Sequence, residues 1–153
     1  MSTITLLRHS ECFHNINAKY DFLNCPLTPK GITQSQKLTG HFDLIICSPL
    51  RRCKDTLKYS NIKGSKTEFT ELCREKMLNF ADLTENDNID YRETDDKFIK
   101  RCKEFHEYLK YQSQHYDKIL VISHYLFIRA LTGLEMDNAE IQGIKMKDIH
   151  IKN

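Results

Sequence analysis

Two histidines stand where apolar runs give out. Arg8-His9 closes Ile4-Thr5-Leu6-Leu7, and His124 closes Ile119-Leu120-Val121-Ile122-Ser123. A third run, Leu44-Ile45-Ile46-Cys47, passes into Ser48-Pro49-Leu50-Arg51-Arg52. Runs of this length read as buried strands, and open α/β sheets bind ligands beyond the carboxyl ends of their strands. Three strand ends therefore bring two imidazoles and several guanidinium groups to one rim. That combination suits a phosphate, because guanidinium forks match its oxygens.

The elements that must hold these groups alternate along the chain. Residues 3–8 read as a strand and 11–18 as a short helix. Thr28-Pro29-Lys30 supplies an N-cap with Pro at the first helical position, opening a helix to about residue 39 that Gly40 ends. Residues 43–48 form the second strand, and 49 to about 59 the next helix, started by Ser48-Pro49. Residues 67–70 suggest a short strand. From 72 to about 90 no period is visible, and the polar cluster Thr84-Glu85-Asn86-Asp87-Asn88 marks an irregular connection of the kind that shapes a site or its lid. Thr94-Asp95-Asp96 opens the longest helix, with acids where the helix dipole favours them. Phe98, Ile99, Cys102, Phe105, His106 and Leu109 form its apolar stripe, on which His106 reads as a core or boundary residue. A strand over 118–123, a helix over 126–131 closed by Gly133, and an alternating, half-exposed edge strand over 144–151 complete the chain. Strands alternating with helices imply a mostly parallel sheet covered on both faces, a single-domain α/β chain folded as a three-layer α/β/α sandwich.

A length of 153 residues fits one domain, which would bury roughly 68–70% of its unfolded surface. Hydrophobic content of 40% and charged content of 29% are those of an ordinary globular chain. No apolar stretch approaches the ~18 residues of a membrane span. The start, Met1-Ser2-Thr3, carries no secretory signal pattern, so a cytoplasmic protein is expected. A formal charge of +2 makes no case for nucleic acid, and the basic cluster over residues 97–103 alternates with acids as on a solvated helix face. Neither nucleic acid nor a membrane is expected as a partner. Cys12, Cys25, Cys47, Cys53, Cys73 and Cys102 show no Cys-x-x-Cys pair and no zinc-type spacing, so they read as free thiols. Cys47 belongs to the core, whereas Cys12 and Cys53 lie near the rim as oxidation-sensitive positions.

The motifs in series resemble the histidine phosphatase superfamily, also called phosphoglycerate mutase-like. Leu7-Arg8-His9-Ser10-Glu11-Cys12-Phe13-His14-Asn15 is similar to its Arg-His-Gly motif with Asn six residues after the His. Leu27-Thr28-Pro29-Lys30-Gly31 with Gln34 resembles its Leu-Thr-x-x-Gly-x-x-Gln. Ser48-Pro49-Leu50-Arg51-Arg52-Cys53-Lys54-Asp55-Thr56 resembles Ser-Pro-Leu-x-Arg-Ala-x-x-Thr and aligns Arg52, not Arg51, with the phosphate-binding arginine. Arg74-Glu75 falls where the family's acid is expected, Glu93-Thr94 resembles the Glu-Ser before the long helix, and Val121-Ile122-Ser123-His124 resembles Val-x-Ser-His. The ordered matches run from about residue 4 to 131.

The resemblance implies a phosphoglycerate mutase-like fold over residues 1–153 and a covalent phosphohistidine on His9. A neutral imidazole suits attack on a phosphomonoester dianion, and neighbouring guanidinium groups keep it unprotonated. Arg8, Arg52, His124 and Asn15 would bind phosphate oxygens, Asn15 alternatively capping a turn. Glu75 would protonate the leaving oxygen and then activate water, with Glu71, Asp82 and Glu85 as competing carboxylates in the same stretch. No cofactor or metal is implied. Ser10 and Tyr125 stand where the family has glycines, which would strain the backbone if a positive φ is needed there. Both retain backbone N–H groups able to reach phosphate, and Cys12 replaces a common Ser with a poorer donor. The short chain favours hydrolysis of a phosphorylated small molecule or a phosphoprotein. The alternatives are a cofactor-dependent phosphoglycerate mutase, a phosphohistidine protein phosphatase, and a catalytically weak module that binds phosphate or a partner protein.

Overall fold

The computed structural model describes residues 2–17 and 19–152. Strands β1 (Thr3–Arg8), β2 (Thr39–Cys47), β3 (Asn61–Phe69), β4 (Lys118–Ser123) and β5 (Ile141–Ile144) form one sheet in the order β3-β2-β4-β1-β5. All neighbours are parallel except β5, which runs antiparallel to β1. Side chains alternate across a strand, and here each set meets a helical layer. Ile4, Leu6, Leu44, Ile46, Ile119 and Val121 pack against α4 (Asp95–Ser113) and α5 (Tyr125–Thr132) through Phe98, Cys102, Phe105, Leu109, Phe127 and Leu131. Leu7, Ile45, Cys47, Leu120 and Ile122 face the other way, onto Cys53 of α3 (Arg51–Tyr59) and Leu38 just beyond α2 (Pro29–Gln36). The result is the expected α/β/α sandwich. It aligns the carboxyl ends of β1, β4 and β2 side by side, with Arg8 opposite Ser123 and Cys47 opposite Ile122.

Several boundaries differ from the sequence reading, each for a physical reason. The first helix, α1 (Phe13–Ile16), is a single turn, and Ala18 lies outside the described residues. Helix α2 stops at Gln36 because Leu38 turns inward to the core, and Gly40 is a strand residue rather than a helix stop. Helix α3 begins at Arg51, with Leu50 at its N-cap, because Ser48 is engaged elsewhere. Strand β3 runs for nine residues, not four, paired with β2 from Asn61 to Phe69. It is an edge strand, and Ile62 is its one buried residue, so no apolar run announced it. The alternation over residues 144–151 is not one strand. β5 lies earlier, and Met146–Asp148 forms a 3-10 turn that delivers Ile149 to the core. Arg101 also departs from the solvated face expected of residues 97–103, because it turns inward against buried Glu93.

Candidate active site

The loop after β1 is held from three sides. The N–H of His9 donates to the Ser123 carbonyl at 3.1 Å, extending the β1–β4 ladder by one residue. Thr28 caps α2 by accepting from the N–H of Gly31 at 3.0 Å, and Gln34 of the same helix accepts from the N–H of Glu11 at 2.9 Å. A Cβ on Gly31 would stand 2.0 Å from the Glu11 carbonyl oxygen, so only glycine lets α2 approach this closely. The Leu-Thr-x-x-Gly-x-x-Gln pattern is thus a clamp on the His9 loop.

His9 is buried, and its partners define its tautomer. Nδ1 lies 2.7 Å from the Ser10 carbonyl oxygen, which can only accept, so Nδ1 carries the proton. Nε2 keeps its lone pair and accepts from Nε of Arg52 at 3.3 Å. Burial lowers the His9 pKa well below the ordinary histidine value, and the charges of Arg52 and Arg8 lower it further. The ring is therefore neutral at physiological pH, with the Nε2 lone pair turned toward the Arg52 guanidinium.

His124 lies behind His9, fully buried, with ring centroids 5.1 Å apart. Its Nε2 is 2.8 Å from Oγ of Ser48 and 3.3 Å from Sγ of Cys53. With an O–H and an S–H beside Nε2, the proton is assigned to Nδ1, which is buried without a protein partner. Burial and then the Arg52 charge lower the His124 pKa well below the ordinary value.

Arg52 is 4% exposed and paired with equally buried Asp82, whose Oδ1 lies 2.8 Å from a terminal nitrogen. The other terminal nitrogen donates to the Ala81 carbonyl at 2.9 Å. With the bond to His9, these contacts use three of the five N–H groups of a guanidinium. Arg8 donates to the Met136 carbonyl at 2.9 Å and stacks on Tyr125, whereas its Nε is buried without a protein partner. Buried donors normally have partners. Arg8 Nε and His124 Nδ1 are thus two donors left unpaired beside His9.

Glu75 is buried at the N-terminus of α5. One oxygen accepts from the N–H groups of Phe127 and Lys76, and the other from that of Leu126, all at 3.0 Å. Burial nevertheless raises its pKa above the ordinary carboxylate value, against the opposing Leu126 hydrogen bond. Arg101 fixes this segment. It forms a two-pronged pair with Glu93 at 2.8 and 2.9 Å and donates to the carbonyls of Leu72, Arg74 and Glu75. The sequence reading matched Glu93 but not Arg101, whose signal was its place eight residues along, two turns into α4.

Arg8, His9, Asn15, Arg52, Glu75 and Asp82 line one pocket of about 190 Å³, together with Cys12, His14, Asn79, Tyr125 and Leu126. His124 is not part of that surface. Of the competing carboxylates, Glu85 is exposed, Glu71 pairs with Arg74, and Asp82 is tied to Arg52. The Asn15 side-chain oxygen caps α1 by accepting from the N–H of Cys12 at 3.0 Å. Ser10 and Tyr125 have negative φ, so neither replacement of glycine is strained. One expectation fails here, since the Ser10 N–H donates to Oγ1 of Thr56 at 2.9 Å and is not free for phosphate. His14 and Asn79 were not anticipated. Among the described residues no cluster of three or more His, Cys, Asp or Glu could hold a metal ion, and no helix is long and apolar enough to cross a membrane.

With the geometry in place, comparison with known proteins shows what the chain is similar to. The histidine phosphatase superfamily (branch 1) model matches residues 4–75, which carry the Arg8-His9 loop, the α2 clamp, Arg52 and Glu75. Over those residues the chain is similar to the histidine phosphatase superfamily. Solved structures extend the likeness to the whole fold. An alpha-ribazole phosphatase from Shigella flexneri is 22% identical, with a TM-score of 0.65, over 94% of this chain and 90% of that one. A phosphoserine phosphatase from Entamoeba histolytica is 22% identical, with a TM-score of 0.62, over 98% and 93%. A phosphoglycerate mutase from Thermus thermophilus is 19% identical, with a TM-score of 0.67, over 93% and 92%. At these identities the likeness establishes the phosphoglycerate mutase-like fold. No curated protein matches the chain in sequence.

Proposed function

We propose that residues 1–153 act as one histidine phosphatase domain that hydrolyses phosphomonoesters through a phosphohistidine on His9. The observation that carries this reading is the neutral His9 Nε2, fixed by the Ser10 carbonyl and facing Arg52, in the pocket that also holds the raised carboxyl of Glu75. Nε2 attacks phosphorus as the bond to the leaving oxygen breaks, and Arg8, Arg52 and Nδ1–H of His124 take the charge on the three non-bridging oxygens. Glu75, whose pKa burial raises, gives its proton to the leaving oxygen. The resulting carboxylate then takes a proton from water as the water oxygen bonds to phosphorus. The P–N bond breaks, phosphate leaves, and protonated Glu75 is restored.

Two of the three neighbours named above are phosphatases acting on small molecules, which supports hydrolysis over mutase chemistry and a small-molecule substrate over a phosphoprotein. Six unpaired, buried cysteines are in keeping with a cytoplasmic site of action. Phosphate release from phenyl phosphate and from alkyl phosphates, assayed in EDTA, tests the reading. We expect turnover by the wild type and background rates for His9→Ala. Undiminished turnover by His9→Ala, or none by the wild type across the panel, overturns it.

A further inference from the structure

A second cavity adjoins the first. It measures about 450 Å³, within the roughly 300–1,000 Å³ of small-molecule sites, and is larger than the 190 Å³ phosphate-sized pocket. Phe98, Ile99 and Leu126 form its floor, and Leu126 also lines the first pocket, so the two share a wall. Lys76, the residue after Glu75, stands at the rim with Arg129 and Lys152, and no acid lines the cavity. The wall is the first turn of α5. There Tyr125 carries the Arg8 guanidinium 5.1 Å from its ring centroid and the Arg129 guanidinium at 5.6 Å. Lys76 lies 5.6 Å from the Phe98 ring centroid and also meets exposed Asp95 from outside the cavity, whereas Arg129 is 3.8 Å from exposed Glu135.

The small pocket has room for a phosphoryl group and little more, so the rest of a substrate must leave it. On the Leu126 side it meets an apolar floor ringed by cations.

We propose that this cavity is the leaving-group subsite and that it takes an amphipathic anion, an aromatic or aliphatic group ending in a carboxylate or a second phosphate. The proposal rests on the phosphatase reading for its place in the reaction, but not for the binding itself. The apolar part would cover Phe98 and Ile99, and the terminal charge would meet Lys152 and Arg129, the latter drawn from its exposed partner Glu135, along a lining that holds no acid. Such a substrate gains affinity from groups remote from the bond that breaks.

Two arms test this separately. In the first, 3-phenylpropionate is titrated into the whole chain while the backbone amides of Ile99 and Ala130 are followed by NMR, with 3-phenylpropanol as the uncharged control. Saturable shifts by the acid, weakened about tenfold in Arg129→Gln/Lys152→Gln, support the subsite. Absent shifts, or equal binding of the alcohol, overturn it even if phenyl phosphate is hydrolysed. In the second, kcat/KM for 3-(4-phosphonooxyphenyl)propionate is divided by that for phenyl phosphate. The wild-type ratio is expected near ten, falling toward one in the double Gln variant and below one in Arg129→Glu/Lys152→Glu, both positions being exposed. A ratio indifferent to these charges overturns the proposal. Binding without turnover of any ester would uphold the subsite and remove the hydrolase reading instead.

Discussion

Replacing Glu75 with Gln removes a proton donor while keeping the shape of the side chain. Three backbone N–H groups point at the two carboxylate oxygens. An amide can present its oxygen to one side only, so at least one buried N–H loses its acceptor, at a cost of about 1–3 kcal/mol in stability. The chemical loss differs by leaving group. An alkoxide needs its proton in the transition state, and losing the general acid should slow alkyl phosphates by about 10²–10⁴-fold, or about 2.7–5.4 kcal/mol of barrier. A p-nitrophenolate leaves without help, but the phosphohistidine behind it still needs a base to activate water. Rapid-mixing kinetics separate the two steps. Glu75→Gln should release one equivalent of p-nitrophenolate in a burst, followed by slow turnover, and should show neither burst nor fast turnover with alkyl phosphates. Alkyl phosphate hydrolysis within about threefold of wild type would refute the assignment of Glu75, as would equal slowing of the burst and of the alkyl substrates, because general acid catalysis contributes far more than that.

Other outcomes follow from the same contacts. Asp82→Ala leaves the buried Arg52 guanidinium without its counter-charge and should destabilise the fold by about 3–5 kcal/mol in urea, with added phosphate restoring more stability to the variant than to wild type. A loss below about 1 kcal/mol would show the pair to be dispensable, against the usual cost of breaking a buried pair. His9 has a depressed pKa, so the unfolded chain binds a proton that the folded one refuses as pH falls below about 6.5. Stability should therefore be full above that value and fall toward the depressed folded pKa by up to about 1.4 kcal/mol per pH unit for each such histidine, so His9→Gln should reduce the slope while His124, depressed in the same way, keeps the rest. Glu75, raised instead, contributes stability at low pH that is lost as pH rises through its folded value. Identical pH slopes for wild type and His9→Gln would contradict the assigned tautomer and burial. Arg101→Met, which releases the carbonyls of Leu72, Arg74 and Glu75, should lower kcat for alkyl phosphates more than the p-nitrophenolate burst. Equal effects on both would mean that Arg101 holds the fold and does not position Glu75.

The strand ends were legible because β1, β4 and the second half of β2 are buried on both faces and read as continuous apolar runs. β3 was not, since an edge strand with Lys63, Lys66 and Thr67 exposed owes its pairing to backbone hydrogen bonds, which leave no mark on side-chain hydrophobicity. His9, Arg52 and Glu75 could be placed by motif, yet Asp82 as the partner of Arg52, Ser48 as the partner of His124 and Arg101 as the clamp on the Glu75 segment each span at least 26 residues of sequence. Local spacing carries no information about such contacts. The fate of the Ser10 N–H was hidden for the same reason, because Thr56 lies 46 residues away.

The central claim is a covalent phosphohistidine on one nitrogen of one residue. Incubation with labelled p-nitrophenyl phosphate, quenching in alkali and locating the label by mass spectrometry test it directly. The account predicts an acid-labile, alkali-stable phosphoryl group on Nε2 of His9 in the wild type, accumulating to near one equivalent in Glu75→Gln and absent in His9→Ala. No label in either protein during active turnover, or label on another residue, would contradict it.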